Sequence, residues 1–239
     1  MIGFKSILAV LLLLATNIGC ARQHQVDILK SGVGKWNKWR EGNPSVKPDL
    51  EKANLMRADL KGANLDLADL AKVNFAGAAL VGADLKGANL NLAYLPKANF
   101  AGANLEEADL RGARLNGAIF EGADLHGVNL QETKLYGAIF EGTDLRKADL
   151  QGADLFGAIL VKADLRGANL QGTDLIKAKS FCKTKLDPEI LSQIKENCPE
   201  LLATVWDDEK NGWVIDYSQL EQIKRADWHG WPEEKGKGK

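Results

Sequence analysis

The chain of 239 residues is poor in the side chains that enzymes use for catalysis. It has three cysteines and three histidines, and between Val46 and Lys179 it has no serine, cysteine or tryptophan and a single histidine, His126. A nucleophilic triad therefore cannot be assembled in that stretch. The formal net charge of −1 argues against a general attraction to nucleic acid or to anionic membranes. The sequence predicts a non-enzymatic protein with no catalytic residues, no metal and no cofactor.

Long hydrophobic runs are also missing. The apolar run Ile7–Ala15 follows Lys5 and is about nine residues long, too short for a helix that crosses a bilayer. It is typical of a secretory signal, and we expect residues 1–19 to be removed on export. The end of this segment, Ile18-Gly19-Cys20, resembles the signal of bacterial lipoproteins, although Asn17 departs from it.

That resemblance implies acylation of Cys20 and a lipid anchor that holds the protein to a membrane of the bacterial cell envelope, in the periplasm. A signal that is cleaved without acylation is the alternative, and the protein would then be secreted. With Cys20 set aside, Cys182 and Cys198 remain as an even pair. In an oxidising compartment they predict a disulfide worth about 3 kcal/mol. The alternative is two buried thiols; zinc is disfavoured because no further Cys or His has ligand spacing beside them.

A repeat of five residues dominates what the sequence does contain. From Leu50 to Leu175 every fifth residue is Leu or Phe, giving 26 positions in unbroken register. The residue two before each is mostly Ala, and the residue between is mostly Asp or Asn, so the consensus is A-(D/N)-L-x-x. A period of five fits neither an α-helix nor a flat strand, since both would scatter the Leu side chains over several directions. The chain must instead bend once per repeat.

Four such bends close a square coil of 20 residues, and the sequence supports this second period. Residues 117–125, 137–145 and 157–165 read GAIFEGADL, GAIFEGTDL and GAILVKADL. Coils stacked at the spacing of β-strands, about 4.8 Å, would place equivalent residues in columns. Phe100, Phe120 and Phe140 fall in one such column.

These residues resemble the pentapeptide-repeat family, over about residues 48–179. The resemblance implies an all-β solenoid, a right-handed quadrilateral β-helix, with the Leu or Phe and the Ala pointing inward. The Asp and Asn side chains would face solvent and bond to neighbouring backbone. One column breaks this rule, because Ile119, Ile139 and Ile159 replace Asp or Asn on successive coils. We expect this apolar stripe to be a surface for a terminal segment, or for a protein partner or a second copy in a homodimer, or else to have no role.

The ends of a solenoid need covering. Residues 20–47 predict an N-terminal cap, with Val26, Leu29, Val33, Trp36 and Arg40 at helical spacing. Residues 180–239 predict a C-terminal cap, with a helix opened by Asp187-Pro188 and running to about Asn197. A hairpin turn at Asn211-Gly212, a second helix from Ser218 to about Arg225 and a disordered tail from Glu233 complete it.

The function that follows is an exported interaction or structural scaffold, whose partner is a protein or a component of the cell envelope. Two alternatives stay open. Some members of the resembled family act on DNA gyrase as mimics of duplex DNA, but acidic and basic residues are interspersed in this repeat, which disfavours mimicry and nucleic-acid binding. The C-terminal segment, rich in tryptophan, is the other candidate for a binding module.

Overall fold

The repeat winds into a right-handed quadrilateral β-helix, as the sequence predicts. The structure is a computed structural model that describes residues 19–197, 199–207 and 212–216. Each coil bridges in parallel to the coil 20 residues later, as in Asp49↔Asp69, Asn54↔Asn74, Asp59↔Ala79 and Asn64↔Asp84. Those four pairs begin four columns of bridges, one on each face of the rod.

The corners are two-residue turns whose second residue has a left-handed backbone. Gly82 (φ +63°) and Lys147 (φ +58°) are examples. The N–H of the residue after the turn donates to the carbonyl before it, as from Ala83 to Leu80. Because the bend recurs every five residues, each Leu or Phe meets the axis. Leu, Phe and Ala therefore form one continuous core along the rod.

Hydrogen bonds between coils run along the rod. The N–H groups of Leu65 and Leu67 donate to the carbonyls of Asp84 and Lys86 on the next coil, over 2.6 and 2.8 Å. The N–H of Asp84 donates back to the carbonyl of Ala63 over 3.0 Å. Each pentapeptide thus sends two bonds towards the C-terminal end of the rod and one towards the N-terminal end.

The β-helix continues beyond residue 179, where the sequence repeat ends. A 3₁₀ turn, Leu175–Lys177, inserts one residue, and the bridges beyond it step by 21 residues, as in Ile159↔Ser180 and Asp164↔Lys185. Phe181 and Leu186 are buried where a Leu or Phe of the repeat would be, and Thr184 replaces the Ala. The insertion hides these two units from a search for a strict period.

Two helices cover the N-terminal coil: residues 19–30 (α1) and Val33–Gly42 (α2). Val26, Leu29, Trp36 and Arg40 are buried, as the helical spacing predicts, whereas Val33 is only partly buried and a break at Ser31-Gly32 divides the predicted segment into two helices. The cap also supplies polar groups to the open edge. The Trp36 indole N–H donates to the carbonyl of Asn64 (2.6 Å), and the Asn37 side chain both accepts from Asn64 and donates to Gly62.

The C-terminal end is covered by helix Pro188–Asn197 (α3), a 3₁₀ turn, Pro199–Leu202, and two antiparallel strands, Thr204–Asp207 (β1) and Gly212–Ile215 (β2). The helix begins and ends where Asp187-Pro188 and Asn197 predict, and β1 and β2 pair antiparallel with Trp206 opposite Trp213. The predicted signal sequence up to Ile18, the predicted turn residue Asn211, the predicted second helix and the predicted disordered tail lie outside the described residues.

Candidate interaction surface

Ile119, Ile139 and Ile159 form one column on the outside of the rod. They pair directly with one another by parallel bridges, and each side chain is half-buried. Behind them, inside the same face, Phe100, Phe120 and Phe140 stack with ring centroids 5.1 and 5.0 Å apart and planes within 5° of parallel. The sequence therefore placed both columns correctly; whether the outer one binds a partner stays a prediction.

Sequence reasoning missed the other half of this patch. Tyr136 and Phe156 occupy the corner that leads into the isoleucine face and are 54 and 51% exposed. Ile176, 57% exposed, lies in the 3₁₀ turn that leads into this face on the next coil, one residue before Lys177, which takes the register position of Phe156. The Tyr136 and Phe156 rings stack at 5.3 Å with a 6° interplanar angle. The spacing of 20 residues between Tyr136 and Phe156 is the signal that the sequence offers for this corner. We call the six residues Ile119, Ile139, Ile159, Tyr136, Phe156 and Ile176 the apolar surface.

The isoleucines occupy positions where the repeat ordinarily gains a hydrogen bond. From Asp49 to Asn169, the Asp and Asn side chains of these columns accept from the backbone N–H two residues later, as Asp84 does from Lys86 (3.1 Å) and Asn99 from Ala101 (2.9 Å). This confirms the structural role predicted for the Asp and Asn columns. An isoleucine has no acceptor, so each substitution forgoes a bond worth about 0.5–1.5 kcal/mol. The isoleucine column therefore lacks one hydrogen bond per coil that the Asp and Asn columns make.

The far corner of the isoleucine face carries charge in a fixed order. Down successive coils it holds Glu121, Glu141, Lys162 and Lys183. The Glu141 carboxylate lies 3.8 Å from the Lys162 ammonium, and both side chains are about half exposed. Acidic groups therefore flank the coils of Ile119 and Ile139, and basic groups flank the coil of Ile159 and the coil after it.

Elsewhere the surface mixes both signs. Asp109 pairs with Arg111 at 2.7 Å, and Arg114 and Lys134 follow one another on the face next to the isoleucine column. Asp144 likewise pairs with Arg146. The hydrogen bond from Arg111 lowers the pKa of Asp109, although burial opposes it. A duplex mimic needs a continuous anionic surface, and these neutralised pairs do not provide one.

The cysteines lie at opposite ends of the described chain. Cys20 is exposed on α1, two residues before Arg22, which pairs with Asp49 at 2.8 Å. Cys182 is buried at a corner of the last coil, and burial raises the pKa of its thiol. Cys198 lies outside the described residues, so the predicted disulfide stays a prediction.

No group of three or more His, Cys, Asp and Glu side chains in the described part of the chain is placed to hold a metal ion. None of the helices described is both long enough and apolar enough to span a bilayer. What the described rod offers to other molecules is its outer faces, with the apolar surface as their most distinctive feature.

A family model for pentapeptide repeats matches residues 53–91, 83–122, 123–160 and 148–179, in eight copies. These matches cover more than half of the sequence. The chain belongs to the pentapeptide-repeat family.

Several solved structures are similar to this chain. HetL, a pentapeptide repeat protein involved in heterocyst differentiation regulation in the cyanobacterium Nostoc sp. strain PCC 7120, is 29% identical over 58% of this chain and 78% of its own, with a TM-score of 0.31. A pentapeptide repeat protein from the Arabidopsis thaliana thylakoid lumen is 26% identical over 58 and 88%, with a TM-score of 0.39. QnrB1, a plasmid-mediated fluoroquinolone resistance protein, is 20% identical over 63 and 84%, with a TM-score of 0.49. No curated protein sequence matched.

Proposed function

We propose that this protein is a non-enzymatic interaction scaffold, exported and held to a membrane of the bacterial cell envelope by a lipid on Cys20, and that it binds a protein partner through the apolar surface. The observation that carries the proposal is the apolar surface itself. Six large side chains, three of them more than half exposed, lie together on a rod whose interior is filled. Contiguous exposed patches of this kind mark interaction sites on proteins.

The shape of the molecule supports a scaffold. A ligand site for a small molecule is ordinarily concave and buries most of its ligand. The solenoid instead presents flat faces whose backbone groups already bond to adjacent coils, as on the isoleucine face, where the N–H of Phe120 donates to the carbonyl of Ile139 at 2.7 Å. A partner therefore meets side chains, and on the isoleucine face these are apolar.

Export and anchoring rest on residues 1–20 of the sequence. The apolar run followed by Gly19-Cys20 supports a lipoprotein signal. The exposure of Cys20 is compatible with acylation. Because Arg22 pairs with the first coil only two residues later, an anchored rod would stand close to the membrane with its N-terminal cap facing the lipid.

The anchor is tested by metabolic labelling with palmitate. We expect label in the wild-type protein and none in Cys20→Ala, with the variant lost from the membrane fraction. Asn17→Leu, which restores the residue type preferred in lipoprotein signals, is the matched control and should keep the label. Equal labelling of wild type and Cys20→Ala would overturn the anchoring part of the proposal.

The surface is tested by photocrosslinking in cells. A photoreactive residue at position 139 or 156 should give protein adducts, and the same residue at position 134, on the neighbouring face of the same coil, should give few. Adducts at 134 matching those at 139 would mean that the apolar surface has no special role.

A further inference from the structure

We infer that the partner of the apolar surface is a second copy of this chain, packed face to face and antiparallel. This inference rests on the proposed function, in which the apolar surface binds a protein. It adds the identity of the partner and the register of the contact. Both follow from how the two edges of the isoleucine face are arranged.

The two edges of this face differ in chemistry. The corner before the isoleucine column carries Tyr136, Phe156 and Ile176, and the corner after it carries Glu121, Glu141, Lys162 and Lys183. In a parallel two-fold dimer each edge would meet the opposite edge of its partner, setting stacked aromatic rings against carboxylates. In an antiparallel dimer each edge meets the same edge of its partner in reverse order. Apolar side chains then meet apolar ones.

One antiparallel register pairs the central isoleucines, the aromatic rings and the charged edge, and it places Ile119 opposite Ser180. If the two-fold axis passes between the coils of Ile139 and Ile159, these two residues face each other across the interface. Tyr136 of one copy then faces Phe156 of the other, which extends the ring pair already stacked in each chain.

The same axis pairs charges of opposite sign. It places Glu141 opposite Lys162 and Glu121 opposite Lys183, because the acidic residues lie on the coils of Ile119 and Ile139 and the basic ones on the two coils that follow. The charged edge is therefore complementary to itself when reversed. A two-fold interface requires such self-complementarity, since the same patch serves both subunits.

The size of the patch fits a weak dimer. Tyr136, Phe156 and Ile176, which are about half exposed, present on the order of 100 Å² each, and the more buried Ile119, Ile139 and Ile159 present less, so the patch is roughly 400–500 Å² per protomer. Two such patches bury about 900 Å², near the lower limit for a specific interface of about 1,000 Å². We therefore expect dimerisation that depends on protein concentration.

The first measurement is sedimentation equilibrium of the purified chain carrying Cys20→Ala, so that no lipid drives association. We expect a monomer–dimer equilibrium whose dissociation constant rises at least tenfold in Ile139→Asp. Lys134→Asp, which puts the same carboxylate on the neighbouring face, should leave the constant unchanged. A protein that stays monomeric at all concentrations, or a dimer that Ile139→Asp does not weaken, would overturn the inference.

The second measurement tests the register with charge reversal, which leaves the core intact. Glu121→Lys and Lys183→Glu should each weaken the dimer roughly three- to tenfold, because the two-fold axis repeats each altered contact. The double variant should restore it. Within one chain these residues stand three coils apart, about 14 Å along the axis, so restoration reports a contact between chains. Failure of the double variant to recover would rule out this arrangement.

The outcomes separate this inference from the proposed function. A monomer that still crosslinks another protein through position 139 overturns the dimer and leaves the scaffold standing. A monomeric protein that gives no adducts at position 139 would overturn both the dimer and the proposed binding of a protein through the apolar surface. A monomer in which Ile139→Asp changes tryptophan fluorescence would assign the surface to residues 217–239, with Trp228 and Trp231, and would also overturn the dimer.

Discussion

At the scale of single residues, the corners of the coil make an unusual demand. Each needs a left-handed residue, and the chain meets this with glycine at some corners and with Lys, Arg, Glu or Leu at others. A residue with a Cβ costs about 1–2 kcal/mol in this conformation. Lys97, Glu107 and Lys147 adopt it nonetheless, with φ between 57 and 58°. The fold therefore tolerates local strain at many of its corners, with polar and apolar side chains alike.

Two glycines in open space allow this cost to be measured. At both Gly82 (φ +63°) and Gly34, which lies in α2, an added methyl group would meet no atom within 4 Å. We expect Gly82→Ala to lower the free energy of unfolding by about 1 kcal/mol because of its backbone alone. Gly34→Ala should be neutral or raise it, because alanine favours a helix. Urea unfolding of both variants checks this, and equal effects at both sites would contradict it.

The turn carboxylates give the rod a pH dependence. The hydrogen bond from Arg146 lowers the pKa of Asp144. A carboxyl whose folded pKa lies below its unfolded value, about 3.9, stabilises the fold above that value and ceases to do so as the pH falls through the folded pKa. We expect the contribution of this pair to be constant between pH 7 and 5 and to be lost below about pH 4. Arg146→Gln should flatten this acid limb in thermal unfolding. An unchanged acid limb would contradict the role of the pair.

At the scale of elements, the buried phenylalanine column is the most specific packing in the rod. Phe120 stacks on both Phe100 and Phe140, whereas Phe75, equally buried, takes part in none of the ring stacks found among the described residues. Each stacked pair adds about 0.5–1.5 kcal/mol beyond the area it buries. Phe120→Leu should therefore destabilise the protein by about 1–3 kcal/mol more than Phe75→Leu. Equal losses in chemical unfolding would show that stacking adds nothing here.

The elements also show how far sequence reasoning reaches. The coil, its inward residues and the Phe and Ile columns follow from a period that repeats many times, so each assignment is supported by the others. The start of α3 follows instead from the local signal Asp187-Pro188. The units around Phe181 and Leu186 were missed because one inserted residue breaks the phase while the backbone recovers it. The aromatic corner was missed because exposure at a turn depends on neighbouring coils, which the sequence shows only after the coil length is known.

At the scale of the whole molecule, each coil contacts only its neighbours, so folding depends on an unbroken five-residue register more than on the number of coils. Removing residues 80–99 deletes one coil and joins Ala79 to Phe100 with the repeat intact. We expect this chain to unfold cooperatively with a lower midpoint. Removing residues 82–99 deletes a similar amount but sets Leu80 two residues from Phe100, which turns apolar side chains outward. This chain should lose more β-sheet circular dichroism and more stability than the chain that lacks residues 80–99; equal behaviour of the two would refute the importance of the register.

The unequal directions of the hydrogen bonds between coils give the rod an electrical polarity. Two N–H groups per pentapeptide point towards the C-terminal end and one points back. Uncovered carbonyl oxygens therefore collect at the N-terminal coil and uncovered N–H groups at the C-terminal coil, the reverse of an α-helix. The caps match this polarity. Trp36, Asn37 and Arg40 bring donors to the first end, and Asp187 brings a carboxylate to the N–H of Gly167 at the other. Caps exchanged between the two ends would bring donors to N–H groups and acceptors to carbonyls. Coils can therefore be added or removed in the middle of the rod, but each cap fits only its own end.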